Sequence, residues 1–398
     1  MRGNTNFGQR WLYLCFFYLG GNSMKIEIKK DTLLDALNKV IKVISTKASL
    51  PILQGILFEI EKDEIRLTAS DHSNTIQHRI PAEGEALDII ETGKVVIPAK
   101  MFIEIVKKSK KSITLTLNNL VLSYKSGRSQ MELNCLDSNE YPNLPEIDAK
   151  IPLFSLKGNQ FNDCIKKTVF AASESETRPI LQGVLFDIRK DSIHLISTDS
   201  HRLGSVNQKW SNQEEQQFVV PAKALDNISK SFDILQDVEV FATQQMLLLK
   251  NGQTIFYSRL LEGNYPDTSR LIPQDFKSEV TLNRTELLDS IDRIKTLASS
   301  TDNNKSSIIK MHVNGVVSVS THQTESGKGK DEVVYSNLNG EDDFTISFTG
   351  KYVIDALKAL DCEEVVFKYQ DSMRPFLLIP SEQKDLDEIQ LILPVRTY

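Results

Sequence analysis

The sequence has little of what catalytic, metal-binding or secreted proteins depend on. Only four cysteines occur, Cys15, Cys135, Cys164 and Cys362. They stand far apart without paired spacing, which argues against a zinc site or a disulfide framework and fits reduced thiols in a cytosolic protein. The histidines His72, His78, His194, His312 and His322 show no metal-ligand spacing. There is no GxSxG, no GxxxxGK[ST] and no HExxH, and Gly327–Lys330 has the wrong spacing for a phosphate loop. Asp199, Ser200 and His201 are hydrolase residue types, but consecutive side chains do not converge as a triad does. The chain therefore reads as a non-enzyme with no cofactor and no metal.

A basic excess is missing too. Lys and Arg number 47 against 53 Asp and Glu, a net charge of -6. Nucleic-acid-binding domains are usually basic, so a DNA reading requires the positive charge to be gathered on one face. The single long apolar run, Trp11–Leu19, is too short to span a bilayer, and no small-residue cleavage site follows it. Met24-Lys25-Ile26-Glu27-Ile28 then reads as a fresh start on an alternating strand. Residues 1–23 are expected to be a disordered extension outside the fold of a cytoplasmic protein with no membrane partner.

What the chain does have is repetition. Pro51-Ile52-Leu53-Gln54-Gly55 returns as Pro179-Ile180-Leu181-Gln182-Gly183, and its flanks match at the same offset. Leu67–Asp71 returns as Leu195–Asp199, Val96–Lys100 as Val219–Lys223, and Tyr141-Pro142 as Tyr265-Pro266. A third, fainter copy opens at Asn283–Glu286 before Leu287, Leu288, Ile291 and Ile294, an amphipathic helical spacing. The first copy opens likewise after Asp31, read as an N-cap. The third has lost the PILQG segment, and its local loop is expected to differ. Each copy reads strand, helix, short alternating strands, helix, strands: an α+β unit with helices on one sheet face. The expected boundaries are 24–148, 149–274 and 275–398.

The second helix of every copy carries a lysine near its start and another seven residues on: Lys100 and Lys107, Lys223 and Lys230, Lys351 and Lys358. Seven residues are almost two turns, so each pair shares a face. Phe102 and Ile105, Leu225 and Ile228, and Val353 and Ala356 fall opposite, where they meet the sheet. A lysine-rich helix face is ordinarily just a solvated surface, but repetition in three diverged copies favours a function. Lys108, Lys110, Lys111, Lys166, Lys167, Arg293 and Lys295 add to the basic side. Basic helices on an acidic chain attract phosphates locally. No base-reading device is visible, and phosphate contacts alone give position-independent affinity.

At this point the residues resemble a known family, the bacterial DNA polymerase III beta subunit, or beta sliding clamp. Thr198-Asp199-Ser200-His201-Arg202-Leu203 is similar to its TDGHRL signature, and Leu391-Ile392-Leu393-Pro394-Val395-Arg396 to its terminal motif. PILQG, the PAK helices and Asn264–Asp267 stand where the family has them, so the likeness runs from Met24 to the C-terminus. It implies three repeated clamp domains in a head-to-tail homodimer, a ring with helices lining the hole and sheets outside. For duplex DNA the matching positions are Lys47, Lys100, Arg128, Arg178 and Lys223, with Lys351 added from the repeat. For partner peptides carrying a glutamine and apolar anchors, the matching lining is Leu181, Thr198, Ser200, His201, Arg202, Leu203, Pro266, Arg270, Leu271, Pro375, Leu391, Leu393, Pro394, Val395 and Arg396. By itself LILPV would read as an edge strand. The implied partners are the clamp loader, the replicative polymerase and other clamp-binding proteins.

Some positions depart from the family pattern. Ser200 replaces the usual glycine, which is expected to shift a backbone angle. Met131, Leu297 and Ala298 match the dimer interface with smaller apolar groups than the family can carry, which is expected to weaken ring closure. Ser326–Lys330 reads as a flexible insertion. Two rival readings stay open: a non-ring DNA-binding scaffold, and an accessory clamp paralogue used in repair.

Overall fold

A computed structural model describes residues 23–44, 50–143, 151–211, 214–298, 307–321, 327–383 and 386–396. They fall into two compact units: one reaches to Glu146 and takes in Lys250–Tyr257, and the other holds the remainder. Within them the chain alternates six helices with short strands. The helices are α1 (Lys30–Val40), α2 (Ala99–Lys107), α3 (Gly158–Lys166), α4 (Ala222–Ser229), α5 (Arg284–Ala298) and α6 (Gly350–Ala359).

The helices start where backbone geometry allows. Pro98 and Pro221 occupy the N-cap positions of α2 and α4, at φ -55 and -53, values the pyrrolidine ring presets. Asn283 caps α5, its Oδ1 accepting from the backbone N–H groups of Thr285 and Glu286 at 3.0 Å. Asp31 is not the cap of α1. Lys29 is, and Asp31 lies in the first turn, where a carboxylate suits the helix dipole.

The first copy forms two antiparallel sheets. One orders Leu87–Glu91, Ser23–Lys29, Ser112–Asn118, Val121–Ser126 and Ser129–Asn134; the other holds Asn74–Pro81, Glu64–Ser70, Gly55–Ile60 and Gly93–Pro98. The third copy repeats this plan strand for strand. Tyr335–Gly340, Ser278–Asn283, Glu364–Tyr369, Phe376–Pro380 and Leu386–Ile392 are consecutive neighbours, and Lys330–Val333, Val316–Thr321, Ile308–Asn314 and Phe344–Thr349 make the second sheet. Sequence identity faded in this copy, but the alternation that places side chains in or out did not. Ile308–Asn314 takes the place of the strand after PILQG. Lys330 opens an edge strand instead of ending a loop, and Ser326 lies outside the described residues.

In the first two copies PILQG folds as one 3₁₀ turn closing on a glycine. A Cβ on Gly55 would stand 2.4 Å from Val96 Cγ1, and one on Gly183 2.4 Å from Val219 Cγ1. The motif is kept because the next strand must press against its neighbour there.

The core lies between helices and sheets. In α2 the buried face is Ala99, Phe102, Ile103 and Val106, with Ile105 half-buried. Four residues beyond Phe102 stays nearer the buried direction than three does. Leu225, Ile228, Val353 and Ala356 are buried as expected. The thiol of Cys164, in the α3 core, is pushed up to about 12 by burial and is inert.

One expectation fails here. Lys167 is no part of a basic surface: it is buried, with Nζ 3.1 Å from Glu388 Oε2, and this pair ties the end of α3 to strand Leu386–Ile392. Burial raises the Glu388 carboxyl above its usual range, and Lys167 pulls it back. Lys167→Met leaves the carboxylate buried without its cation and should cost about 3 kcal/mol of unfolding free energy at pH 7. A charged Glu388 is costly above its raised pKa and much less so once protonated. The deficit should therefore shrink as pH falls through that pKa. Urea unfolding at several pH values checks both the size and the direction.

Candidate functional site

The TDSHRL segment is a tight turn joining strands Ser192–Thr198 and Arg202–Lys209. Asp199 Oδ1 accepts from the N–H of His201 at 2.9 Å and of Arg202 at 3.0 Å. Thr198 Oγ1 accepts from the Ser200 N–H and donates to the Arg202 carbonyl at 2.6 Å. Ser200 sits at φ 76, in the left-handed region that favours glycine. The surrounding hydrogen bonds hold the serine in a region that costs an L-residue about 1–2 kcal/mol. The first copy builds the same turn, with His72 at φ 83 and Asp71 Oδ1 accepting from Ser73 and Asn74.

What differs is the residue after the turn, Asn74 in one copy and Arg202 in the other. Arg202 is 7% exposed, and its guanidinium donates to Asp199 Oδ2 at 3.0 Å and to Asp355 Oδ2 at 2.6 Å. The Tyr352 and Phe170 rings lie 4.6 and 5.4 Å from it, and the His201 ring stacks on Tyr352. The Thr198 N–H donates to Tyr265 Oη, and burial keeps that phenol protonated. Sequence reasoning misses Phe170, Tyr265, Tyr352 and Asp355. A signal exists for two of them: Tyr265 recurs as Tyr141, and Asp355 stands four residues after Lys351, within helical reach.

Strand Leu386–Ile392 pairs with Arg202–Lys209, so that Leu203 faces Leu391 and Arg202 faces Ile392. Beyond the strand, the Leu393 N–H donates to the His201 carbonyl at 2.9 Å and the Val395 N–H to the Ser347 carbonyl at 2.7 Å. This brings Thr198, Ser200, His201, Arg202, Leu203, Leu391, Leu393, Pro394 and Val395 together. Leu203 and Leu391 are buried with Ile196 and Leu377, so they form a floor. Leu181 is buried in the PILQ turn. Leu393, Pro394, Val395 and Pro375 are half-buried; Leu271, Pro266, Arg270 and Arg396 are exposed. Arg202, expected in the pocket lining, is buried and supports the turn through Asp199 and Asp355. Arg178 also reaches this turn, donating to Ser200 Oγ at 3.3 Å.

All six repeated lysines are exposed or half-exposed on their helices. They are not uniformly basic stripes, however: Lys107 pairs with Glu104 at 2.8 Å, Lys230 with Asp226 at 2.7 Å and Lys351 with Asp355 at 2.9 Å. Lys107 holds the Glu104 carboxyl below its usual range. Among the described residues, no carboxylate pairs with Lys100, Lys223 or Lys358. Arg128 is exposed beside Gly127, which turns the chain at φ 61. Lys47 lies outside the described residues. At the far end of the Arg202–Lys209 strand from the turn, a cleft of about 740 Å³ is lined by Asp163, Asp361, Glu363, Glu364, Glu382 and Glu388 against Lys167. Such a surface repels phosphate.

The sheets end unevenly. Strand Leu386–Ile392 lies beside Arg202–Lys209, so the last strand of the third copy joins the third strand of the PILQG-bearing sheet in the copy before it. Among the described residues, two strands of these types keep an open edge: Ser129–Asn134 and Lys330–Val333. Met131 lies on the first, 43% exposed. Leu297, 37% exposed, stands at the end of α5, which packs on the second; a Cβ on Gly329 would meet it. The Ala298 backbone closes α5, and its side chain lies outside the described residues.

Comparison with known proteins matches the chain to three family models: DNA polymerase III beta subunit, N-terminal domain over residues 24–145, central domain over 155–267, and C-terminal domain over 269–396. Beta sliding clamps from Bacillus subtilis and Staphylococcus epidermidis are 38% and 37% identical, over 94% of this chain and 100% of theirs. The crystal structure of the B. subtilis sliding clamp superposes with a TM-score of 0.87 at 36% identity. The beta chain from Streptococcus pneumoniae gives 0.88 at 35%; both cover 94% of this chain and 100% of theirs.

The turn's geometry generates a prediction. Ser200→Gly relieves the left-handed strain and should leave thermal stability equal or raised by up to about 1 kcal/mol. Ser200→Val puts a β-branched residue there and should lower it by about 2 kcal/mol. Calorimetry of the two variants checks the order.

Proposed function

The chain belongs to the DNA polymerase III beta-subunit family, and we propose that it works as a sliding clamp, a processivity factor that encircles duplex DNA without reading its sequence. The observation that carries the ring is the pair of open edges. Within the chain, the last strand of the third copy docks on Arg202–Lys209 of the preceding copy. The same pairing between Ser129–Asn134 of one chain and Lys330–Val333 of a second continues that rule head to tail, and two such junctions close six copies into a ring. Exposed Met131 and Leu297 then become interface residues.

Within the ring, Lys100, Lys107, Lys223, Lys230, Lys351 and Lys358, with Lys47, Arg128 and Arg178, bind phosphates. Weak, sequence-blind binding permits sliding, and topology rather than affinity keeps the clamp on DNA. The slot beside the TDSHRL turn takes an extended peptide of the polymerase or another partner. Rebinding then becomes intramolecular at high effective concentration. No chemistry is asked of the chain: it works in the cytoplasm as the non-catalytic subunit of a polymerase, and a clamp loader that opens one interface supplies the ATP hydrolysis. Leu393, Pro394 and Val395 offer apolar anchorage, and the His201 and Ser347 carbonyls hold the backbone at Leu393 and Val395.

Two outcomes follow. Sedimentation should find a dimer, and Met131→Asp with Leu297→Asp should give a folded monomer; a persistent dimer would refute the edge-to-edge assignment. Replacing Lys100, Lys223 and Lys351 by Met should flatten the slope of log affinity against log salt by about 0.9 for each lysine–phosphate pair removed. Anisotropy on short duplexes of two unrelated sequences measures the slope, and the effect should be equal on both.

A further inference from the structure

Asp355 belongs to neither the lysine set nor the slot, yet it touches both. Its Oδ2 accepts from Lys351 Nζ at 2.9 Å, four residues back on the same helix, and from the Arg202 guanidinium at 2.6 Å. Lys351 is 57% exposed by its side chain, Asp355 25% and Arg202 7%. One carboxylate oxygen is therefore shared between a solvent-facing cation and a buried one. We infer that Asp355 is a positioning residue that couples duplex binding at α6 to peptide binding at the TDSHRL turn.

The coupling follows from competition for that oxygen. A phosphate that engages Lys351 draws its ammonium away, and Asp355 then serves Arg202 alone. Arg202 is the post of the turn: it holds Asp199, whose other oxygen fixes the N–H groups of His201 and Arg202. It also lies against Tyr352, on which His201 stacks. A firmer Arg202–Asp355 bond leaves these groups less freedom before a peptide arrives, so less ordering is required on binding. DNA should thus raise peptide affinity, and by reciprocity peptide should raise DNA affinity by the same factor. A part-exposed ion pair limits the effect to about two- to fivefold.

Arg178 adds a parallel link, since it donates to Ser200 Oγ in the same turn. Its sign differs, because a phosphate that captured Arg178 would free the turn. The Asp355 link outweighs it, being shorter, charged at both ends and half-buried.

The inference rests on the clamp reading, and the test separates the two. A fluorescein-labelled peptide bearing a glutamine and two apolar anchors is titrated with the full-length chain at low salt, with and without a saturating short duplex. Duplex affinity is measured alone in parallel. Wild type should bind the peptide about two- to fivefold more tightly with DNA present. Lys351→Met, an exposed change that leaves the fold intact, should bind peptide without DNA as wild type does with it, and DNA should add little. Asp355→Asn should bind both ligands singly but show a ratio near one. If peptide and duplex each bind wild type while the ratio stays at one, or if Asp355→Asn keeps the full ratio, the coupling is wrong and the clamp reading stands. If neither ligand binds alone, the clamp reading fails and takes the coupling with it.

Discussion

Strand Arg202–Lys209 has two neighbours, Ser192–Thr198 within its own copy and Leu386–Ile392 from the end of the chain. The second pairing fuses the central and last copies into one nine-stranded sheet. Each backbone hydrogen bond contributes only about 1 kcal/mol net, but the ladder sets register, and register sets everything else. A slip by one residue would turn Leu203 and Leu391 outward and Arg202 away from Asp355. The glycine at 204 is required here, since a Cβ would stand 2.8 Å from the Lys167 carbonyl. At one end of the ladder lies the apolar floor of the slot. Just past its middle, where Glu388 faces Val206, lies the buried Lys167–Glu388 pair, costly to desolvate and costlier to break, which fixes α3 against the same strand.

The same edge logic, used once more between chains, is what would close the proposed ring. An unpaired edge strand is a liability that proteins normally blunt. Here exposed Met131 stands on one open edge, and Leu297 neighbours the other, which itself carries Lys330, Asp331 and Glu332. Charge is restrained in a similar way. The chain is acidic overall, and three of the six repeated lysines are held by carboxylates on their own helices. Half-neutralised lysines bind phosphate weakly, which suits a protein that must move along DNA.

Repetition makes most of the fold legible in the sequence. PILQG recurs because a glycine must let strands approach, and the PAK segments recur because proline starts a helix and lysine stays in water. The plan of strands and helices can be read from these. Other features cannot. Lys167 looks like any surface lysine next to Lys166, because its burial depends on where a strand far along the chain runs. Arg202 reads as one more pocket-lining residue for the same reason. Asp199 stands out in the sequence for what it cannot do as a catalyst, while its role as acceptor for two backbone N–H groups emerges only in the turn. Ser200 shows the limit in reverse. Nothing in the sequence marks a serine for the left-handed region, and the structure holds it there at φ 76 because the Thr198 and Asp199 hydrogen bonds on either side fix the turn.

Encirclement is the claim from which sliding, tethering and weak phosphate binding all follow, and one measurement reaches it directly. The chain is loaded onto nicked circular DNA, half the sample is linearised, and both halves are washed at high salt. A closed ring stays on the circles and runs off the linear ends, since salt dissolves phosphate contacts but not topology. Equal loss from both would contradict the ring, whatever the affinity for duplex or peptide.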